Sequence, residues 1–277
     1  MINNHRLAIT VIGLIWTFQV SAQIVSPGSA QTAAFAPPLE TSIPAGPFGV
    51  AITEGRKLLT ETHQRLPQNV GNGLNCTNCH LAGGTTPGAS PWVGIWGVFP
   101  EYRSRSGRLI SLHERINDCF SRSMNGKPLD SNSPEMNNIL AYMRWLSTGV
   151  PTGMNVKGRG FGPLNQALVP DQANGKLVYA NKCASCHGVE GLGLKVPGGY
   201  AMPPLWGKDS FNDGAGMART YTAAAFVKHN MPLGQGGILS DQDAVDVAEY
   251  FTHQSRPVYA AKKMDWPNGG KPKDARN

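Results

Sequence analysis

The sequence predicts an all-α fold of two tandem domains with long irregular loops, and three observations carry that prediction. A frame of the form Cys-x-x-Cys-His occurs twice, as Cys76-Thr-Asn-Cys79-His80 and Cys183-Ala-Ser-Cys186-His187. In each half a serine suited to cap a helix, Ser133 or Ser240, lies 53 residues beyond the frame's histidine. Apolar residues recur at helical spacing before each frame and after each serine.

The elements follow in chain order. Leu7 to Val20 is apolar apart from Thr10, Thr17 and Gln19, and Val20-Ser21-Ala22 offers a small-residue cleavage site. Residues 1–22 are therefore expected to be a signal peptide cleaved near Ala22, which places the mature chain in the periplasm. Its removal takes one Arg and no acid, so the net charge of +7 falls to +6. No run reaches the ~18 apolar residues of a spanning helix, so no integral membrane segment is expected in the mature chain. Nor is a nucleic-acid partner.

Residues 23–148 are expected to form the first domain. Phe35 to Pro47 is expected to be extended, and a short helix carries Gly55-Arg-Lys-Leu-Leu before the frame. A helix with the stripe Leu109, Leu112, Ile116, Cys119 and Phe120 follows. After the Ser133 cap and Pro134, Met136, Ile139, Leu140, Met143 and Leu146 mark a closing helix. Residues 149–170, rich in Gly and Pro, are the expected linker. Residues 171–277 repeat the plan, with Gly175-Lys-Leu-Val-Tyr ahead of the frame and Ala244, Val247, Ala248 and Phe251 after the Ser240 cap. Trp96-Gly97 and Trp206-Gly207 are matching landmarks in the loops between frame and closing helix. The tail, with Lys262, Lys263, Lys271 and Lys273, reads as solvated surface; wrapping the other domain or docking an acidic partner stays open.

Cys-x-x-Cys-His is the attachment sequence for c-type haem. Two thiols two residues apart reach the two vinyl groups of one porphyrin, and the adjoining histidine ligates the iron. A thioredoxin-like dithiol would want a βαβ context, and zinc knuckles would not need the adjoining histidine. Two covalent haem c groups follow, held by Cys76, Cys79, Cys183 and Cys186, with His80 and His187 as proximal ligands. Helix, frame, wrapping loop and closing helix together describe a cytochrome c domain, and there are two.

The sixth ligands decide whether such haems carry electrons or do chemistry. Met231, in Asn230-Met231-Pro232 just ahead of the second closing helix, is the expected ligand there; Met202, His229 and Lys228 are weaker candidates. A shift of 107 residues places Met231 on Met124 and Phe226 on Cys119. Register alone therefore nominates Met124 in the first half, and Cys119 is an addition to the repeat. It is either a buried inert thiol or a haem ligand. Arg115 lies one helical turn before it and Arg105 ten residues further back, and guanidinium groups there would suit an oxyanion. Scattered surface arginines are the bland alternative.

The segment Arg115-Ile-Asn-Asp-Cys119-Phe-Ser-Arg-Ser-Met124-Asn-Gly-Lys-Pro-Leu129 resembles the diheme thiosulfate dehydrogenase family. The likeness covers nearly the whole mature chain, including both frames and their spacings. It implies two fused cytochrome c domains. It also implies that Cys119 is the distal ligand of the first, active-site haem, that Arg105 and Arg115 bind substrate, and that Met231 ligates the second, electron-transfer haem. Some relatives carry Lys before that methionine and exchange ligands with redox state; Asn230 stands there in this chain, so no Lys-based switch is expected. The implied reaction joins two thiosulfates into tetrathionate, with Cys119 leaving the iron to carry a sulfur adduct. A soluble redox protein takes the electrons, and the reverse reduction would use the same residues. The rivals are an electron carrier with two His/Met haems, using Met124, and a diheme peroxidase with an open distal site.

Overall fold

A glycine lies where the first and last helices of each half cross. The computed structural model describes Met1 and residues 32–276, so apart from Met1 the expected signal peptide lies outside the described residues. In chain order the first half carries α1 (Pro47–Thr60), the one-turn α2 (Thr62–Arg65), α3 (Leu81–Gly84), α4 (Leu112–Arg122) and α5 (Pro134–Trp145). The second carries α6 (Gln172–Lys182), α7 (Ala184–His187), α8 (Thr220–Asn230) and α9 (Asp241–Thr252). The strands β1 (Thr32–Ala33), β2 (Glu101–Arg103), β3 (Arg108–Ile110), β4 (Asn155–Val156), β5 (Leu194–Val196) and β6 (Gly199–Met202) form three two-stranded ladders. β1 pairs parallel with β4, with Thr32 opposite Asn155; β2–β3 and β5–β6 are antiparallel hairpins. Among the described residues no helix is long and apolar enough to cross a membrane.

α1 packs on α5 and α6 on α9. A Cβ added to Gly55 would lie 1.9 Å from the Asn138 carbonyl oxygen, and one on Gly175 would lie 1.9 Å from that of Asp246. Only glycine lets the two backbones approach so closely. The closing helices start where their caps dictate. The Ser133 hydroxyl accepts from Met136 N at 3.1 Å, with Pro134 at the first helical position, and Ser240 accepts from Asp243 N at 3.0 Å. Below these caps Met136, Ile139, Ala244 and Val247 are buried, as the 3.6-residue spacing requires.

Two expectations need correction. Leu109 does not begin the Cys119 helix; it lies on β3 and is exposed. Ser111 starts α4 instead, through a reciprocal capping box. Its hydroxyl accepts from Glu114 N at 3.2 Å, while the Glu114 carboxylate accepts from Ser111 N at 2.7 Å. Nor is Trp96 the counterpart of Trp206. Gly84 and Gly191, each four residues after a frame histidine, have positive φ, and a Cβ on them would meet Trp92 at 2.0 Å and Trp206 at 2.4 Å. Trp92 is thus the matching residue, and Trp96 is exposed. The β5–β6 hairpin lies between the second frame and Trp206 and lengthens that loop.

The two halves pack into one unit. Asn212 donates to Ser121 O at 2.9 Å, and Asn72 donates to Ser123 O at 3.0 Å and Ser210 O at 3.2 Å. Tyr200, from the second half, joins the apolar core of the first. The tail folds back, with Trp266 buried and its N–H donating to Arg105 O at 2.8 Å.

Candidate active site

Each frame histidine is held by one backbone carbonyl. His80 Nδ1 lies 2.6 Å from Ser90 O, and His187 Nδ1 lies 2.8 Å from Pro203 O. A carbonyl only accepts, so each Nδ1 carries the proton and each Nε2 keeps its lone pair. Burial pushes His80 down to about 4 and lowers His187 as well, so both rings are neutral at pH 7. The linker supports the first histidine. Gly160 O accepts from Ser90 N at 2.7 Å, and the ring of Trp92 lies 4.7 Å from that of His80.

Cys76, Cys79 and His80 line a largely apolar cavity, whose walls also include Cys119, Arg115 and Met124. The linker contributes Phe161 and the second half Met217. None of the five cysteines is in a disulfide. Among the described residues no three His, Cys, Asp or Glu side chains gather as a metal site, so the frame thiols are not completed into a zinc knuckle. Two thiols and a lone-pair nitrogen facing a large apolar cavity fit a covalently attached haem.

On α4, Arg115 donates from Nη1 to Cys119 Sγ at 3.0 Å. The negative charge of a Cys119 thiolate raises Arg115 above its ordinary range, outweighing burial. These two residues also line a second, more polar cavity of about 900 Å³, so the pair stands where the cavities adjoin. Arg103, Arg105, Arg122, Arg159 and Arg219 line that second cavity too. Most of its cations have partners. Arg103 and Arg159 share Glu101, at 2.8 Å and 3.1 Å, and Arg122 forks onto Asp265 at 2.9 Å and 2.7 Å. Arg105 donates to Gly214 O at 3.1 Å and lies 3.5 Å from Asp265. Burial, then the charges of Arg122 and Arg219, push Arg105 down to about 10, so it remains charged at pH 7.

In the second half Met231 caps the end of α8, partly buried against the apolar core that also touches Cys183. The neighbouring candidates are engaged elsewhere. Lys228 donates to Leu239 O and pairs with Asp241 at 3.3 Å, and His229 Nε2 lies 2.8 Å from Pro163 O. Met202 ends β6. Asn230 is buried and donates to Gly88 O at 2.9 Å, tying α8 to the first half.

The structure thus brings Arg105, Arg115 and Cys119 to one cavity, as the sequence grouped them. It adds Arg103, Arg122, Arg159 and Arg219. Arg103 and Arg122 stand in segments already notable for arginine. Arg159 and Arg219 carry no local signal, since packing of the linker and second half brings them there.

Residues 67–152 match the family described as "SoxA/TsdA, cytochrome c domain", and residues 172–255 match "Cytochrome c". A thiosulfate dehydrogenase of Psychrobacter arcticus is 52% identical, over 86% of this chain and 73% of that relative. One from Allochromatium vinosum is 46% identical, over 82% and 86% respectively. Among solved structures, the thiosulfate dehydrogenase TsdBA of Marichromatium purpuratum superposes with a TM-score of 0.78 at 40% identity, covering 81% of this chain. The chain spans half the length of that protein.

Proposed function

The chain belongs to the thiosulfate dehydrogenase family, and we propose that it joins two thiosulfate ions into tetrathionate, releasing two electrons, at the cavity lined by Cys119. One observation carries this reading: the Arg115–Cys119 pair, 3.0 Å apart, stands where the apolar cavity lined by Cys76, Cys79 and His80 adjoins an arginine-lined one.

The chemistry of the residues follows from charge. Two thiosulfates bring four negative charges together, so their approach is favourable only against fixed positive charge. Arg115 and Arg105 supply it with forked donors that match an oxyanion. Cys119 places a soft, electron-rich sulfur beside the sulfur to be coupled, and Arg115 orients it. Forming the sulfur–sulfur bond of tetrathionate from two thiosulfates leaves two electrons and no proton to place. Haem c at the two frames, held by Cys76, Cys79 and His80 and by Cys183, Cys186 and His187, would supply two one-electron acceptors. Cys119 would complete the first ligand set and Met231 the second. A soluble redox protein then takes the electrons. The same residues serve the reverse reduction. The mature protein acts in the periplasm after cleavage near Ala22.

The test uses the purified holoprotein with thiosulfate and an external cytochrome c. Tetrathionate should form with two electrons delivered per molecule, and the near-infrared methionine-to-iron band should report one haem only. No thiosulfate-dependent electron delivery, with methionine bands from two haems, would instead make the chain an electron carrier. Met124 also lines the first cavity and would be the second methionine.

A further inference from the structure

We propose that Arg219, from the second half of the chain, holds the second thiosulfate, the one that reacts with the sulfur held at Cys119 and Arg115. The inference rests on the coupling reaction just described and adds the residue that seats its second substrate.

Arg219 stands immediately before α8 and lines the same cavity as Arg105, Arg115 and Cys119. It differs from those neighbours in how its charge is met. Arg103 and Arg159 share Glu101, Arg122 and Arg105 share Asp265, and Arg115 faces Cys119. Among the described residues, Arg219 makes neither an ion pair nor a side-chain hydrogen bond, and its Nε is buried without a partner. The charges of Asp274 and Asp265 act on Arg219 without forming an ion pair with it; Asp274 accepts from Tyr221 N at 2.9 Å and so caps α8.

Holding this cation here is costly. Burial, followed by the charge of Arg103, lowers Arg219 from its ordinary range, with Asp274 and Asp265 opposing, and the charge of Arg219 in turn helps to lower Arg105. A guanidinium removed from water and left unpaired is unfavourable unless something anionic arrives. The cavity is polar and far larger than one thiosulfate needs, at about 900 Å³. The first dianion is provided for by Arg115 and Arg105. A second dianion must approach the first against repulsion. Arg122 also has an unpartnered Nε, but its other two nitrogens hold Asp265, whereas Arg219 is, among the described residues, the cavity cation with neither an ion pair nor a side-chain hydrogen bond. Its forked geometry suits the three oxygens of the sulfonate end, which leaves the outer sulfur to react.

The test compares wild type with Arg219→Gln and Arg219→Lys as holoproteins. Calorimetric titration of the fully reduced, anaerobic protein, which has no oxidising capacity, counts bound thiosulfate. Two ions per chain are expected in wild type and one in Arg219→Gln. In steady state, Arg219→Gln should raise the thiosulfate KM about tenfold or more, while the optical spectra of both haems stay unchanged. Arg219→Lys keeps the charge without the fork and should fall between. If wild type turns over thiosulfate while Arg219→Gln keeps both its stoichiometry and its KM, this assignment is wrong and the coupling reaction stands. If wild type turns over no thiosulfate, the reaction itself is wrong and this assignment falls with it.

Discussion

Arg115 Nη1 lies 3.0 Å from Cys119 Sγ, one turn along the same helix. In the proposed reaction this contact would join the cation that attracts substrate to the sulfur beside which it reacts. Replacing Arg115 by Ala removes the charge without removing the sulfur. We expect the thiosulfate KM to rise about tenfold or more, as for loss of a charge-assisted contact. The low-spin thiolate signature of the first haem should persist. Loss of that signature would make Arg115 a support for the ligand and not a substrate contact.

The helix crossings predict a stability effect far from the chemistry. Gly55→Ala and Gly175→Ala would each put a methyl group 1.9 Å from a carbonyl oxygen of the facing helix. The helices must separate, at a cost of about 3 kcal/mol, the upper end for overpacking. Thermal unfolding of the holoprotein should show a clear drop in Tm for both. An unchanged Tm for either would mean that the crossing is looser than the geometry requires.

Met231 predicts a split between binding and electron exit. Met231→Gly should remove the near-infrared methionine band and slow electron delivery to the external acceptor. Thiosulfate binding at Arg115 and Cys119 should stay near normal, because neither residue depends on the end of α8. Persistence of the band would send the search to another methionine, Met202 in the second half or Met124 in the first cavity.

Asp265 predicts a link between the tail and the arginine-lined cavity. Its carboxylate takes a forked pair from Arg122, and both side chains are nearly buried, at 6% and 11% exposed. Asp265→Asn leaves Arg122 buried without its counter-charge, a loss of about 3 kcal/mol. Limited proteolysis should then cut within residues 257–276, and the melting temperature should fall. A protease-resistant tail with an unchanged Tm would contradict this.

What the sequence disclosed and what it hid divide along the range of the interactions. Ser133 and Ser240 announced their helices because a cap acts within three residues. Arg115 and Cys119 could be grouped because a helix brings residues four apart to one face. The shared Trp-Gly dipeptide points to Trp96 beside Trp206, but it is Trp92 that packs on the equivalent glycine, and the β5–β6 hairpin makes the second loop longer. Leu109 fitted a helical stripe, yet the Ser111 capping box ends the preceding hairpin two residues later. Arg159 and Arg219 reach the cavity, and Asp265 the arginines that line it, only through packing between distant segments, and no local pattern encodes that. The tail's lysines suggested solvent, while its Asp265 and Trp266 carry the contacts that fold it back.

The central claim is that Cys119 is the sulfur at the reaction centre, and Cys119→Gly tests it most directly. The variant should be purified with both haems counted by mass on the denatured chain, then assayed for tetrathionate formation from thiosulfate. Cys119→Met, assayed beside it, separates iron ligation from an anionic nucleophile, because a thioether can do only the first. The account predicts two covalent haems, a persistent fold and no thiosulfate oxidation in Cys119→Gly, with most turnover also lost in Cys119→Met. Near-normal activity in Cys119→Gly with both haems attached would contradict it and leave Met124 as the first haem's ligand in an electron carrier.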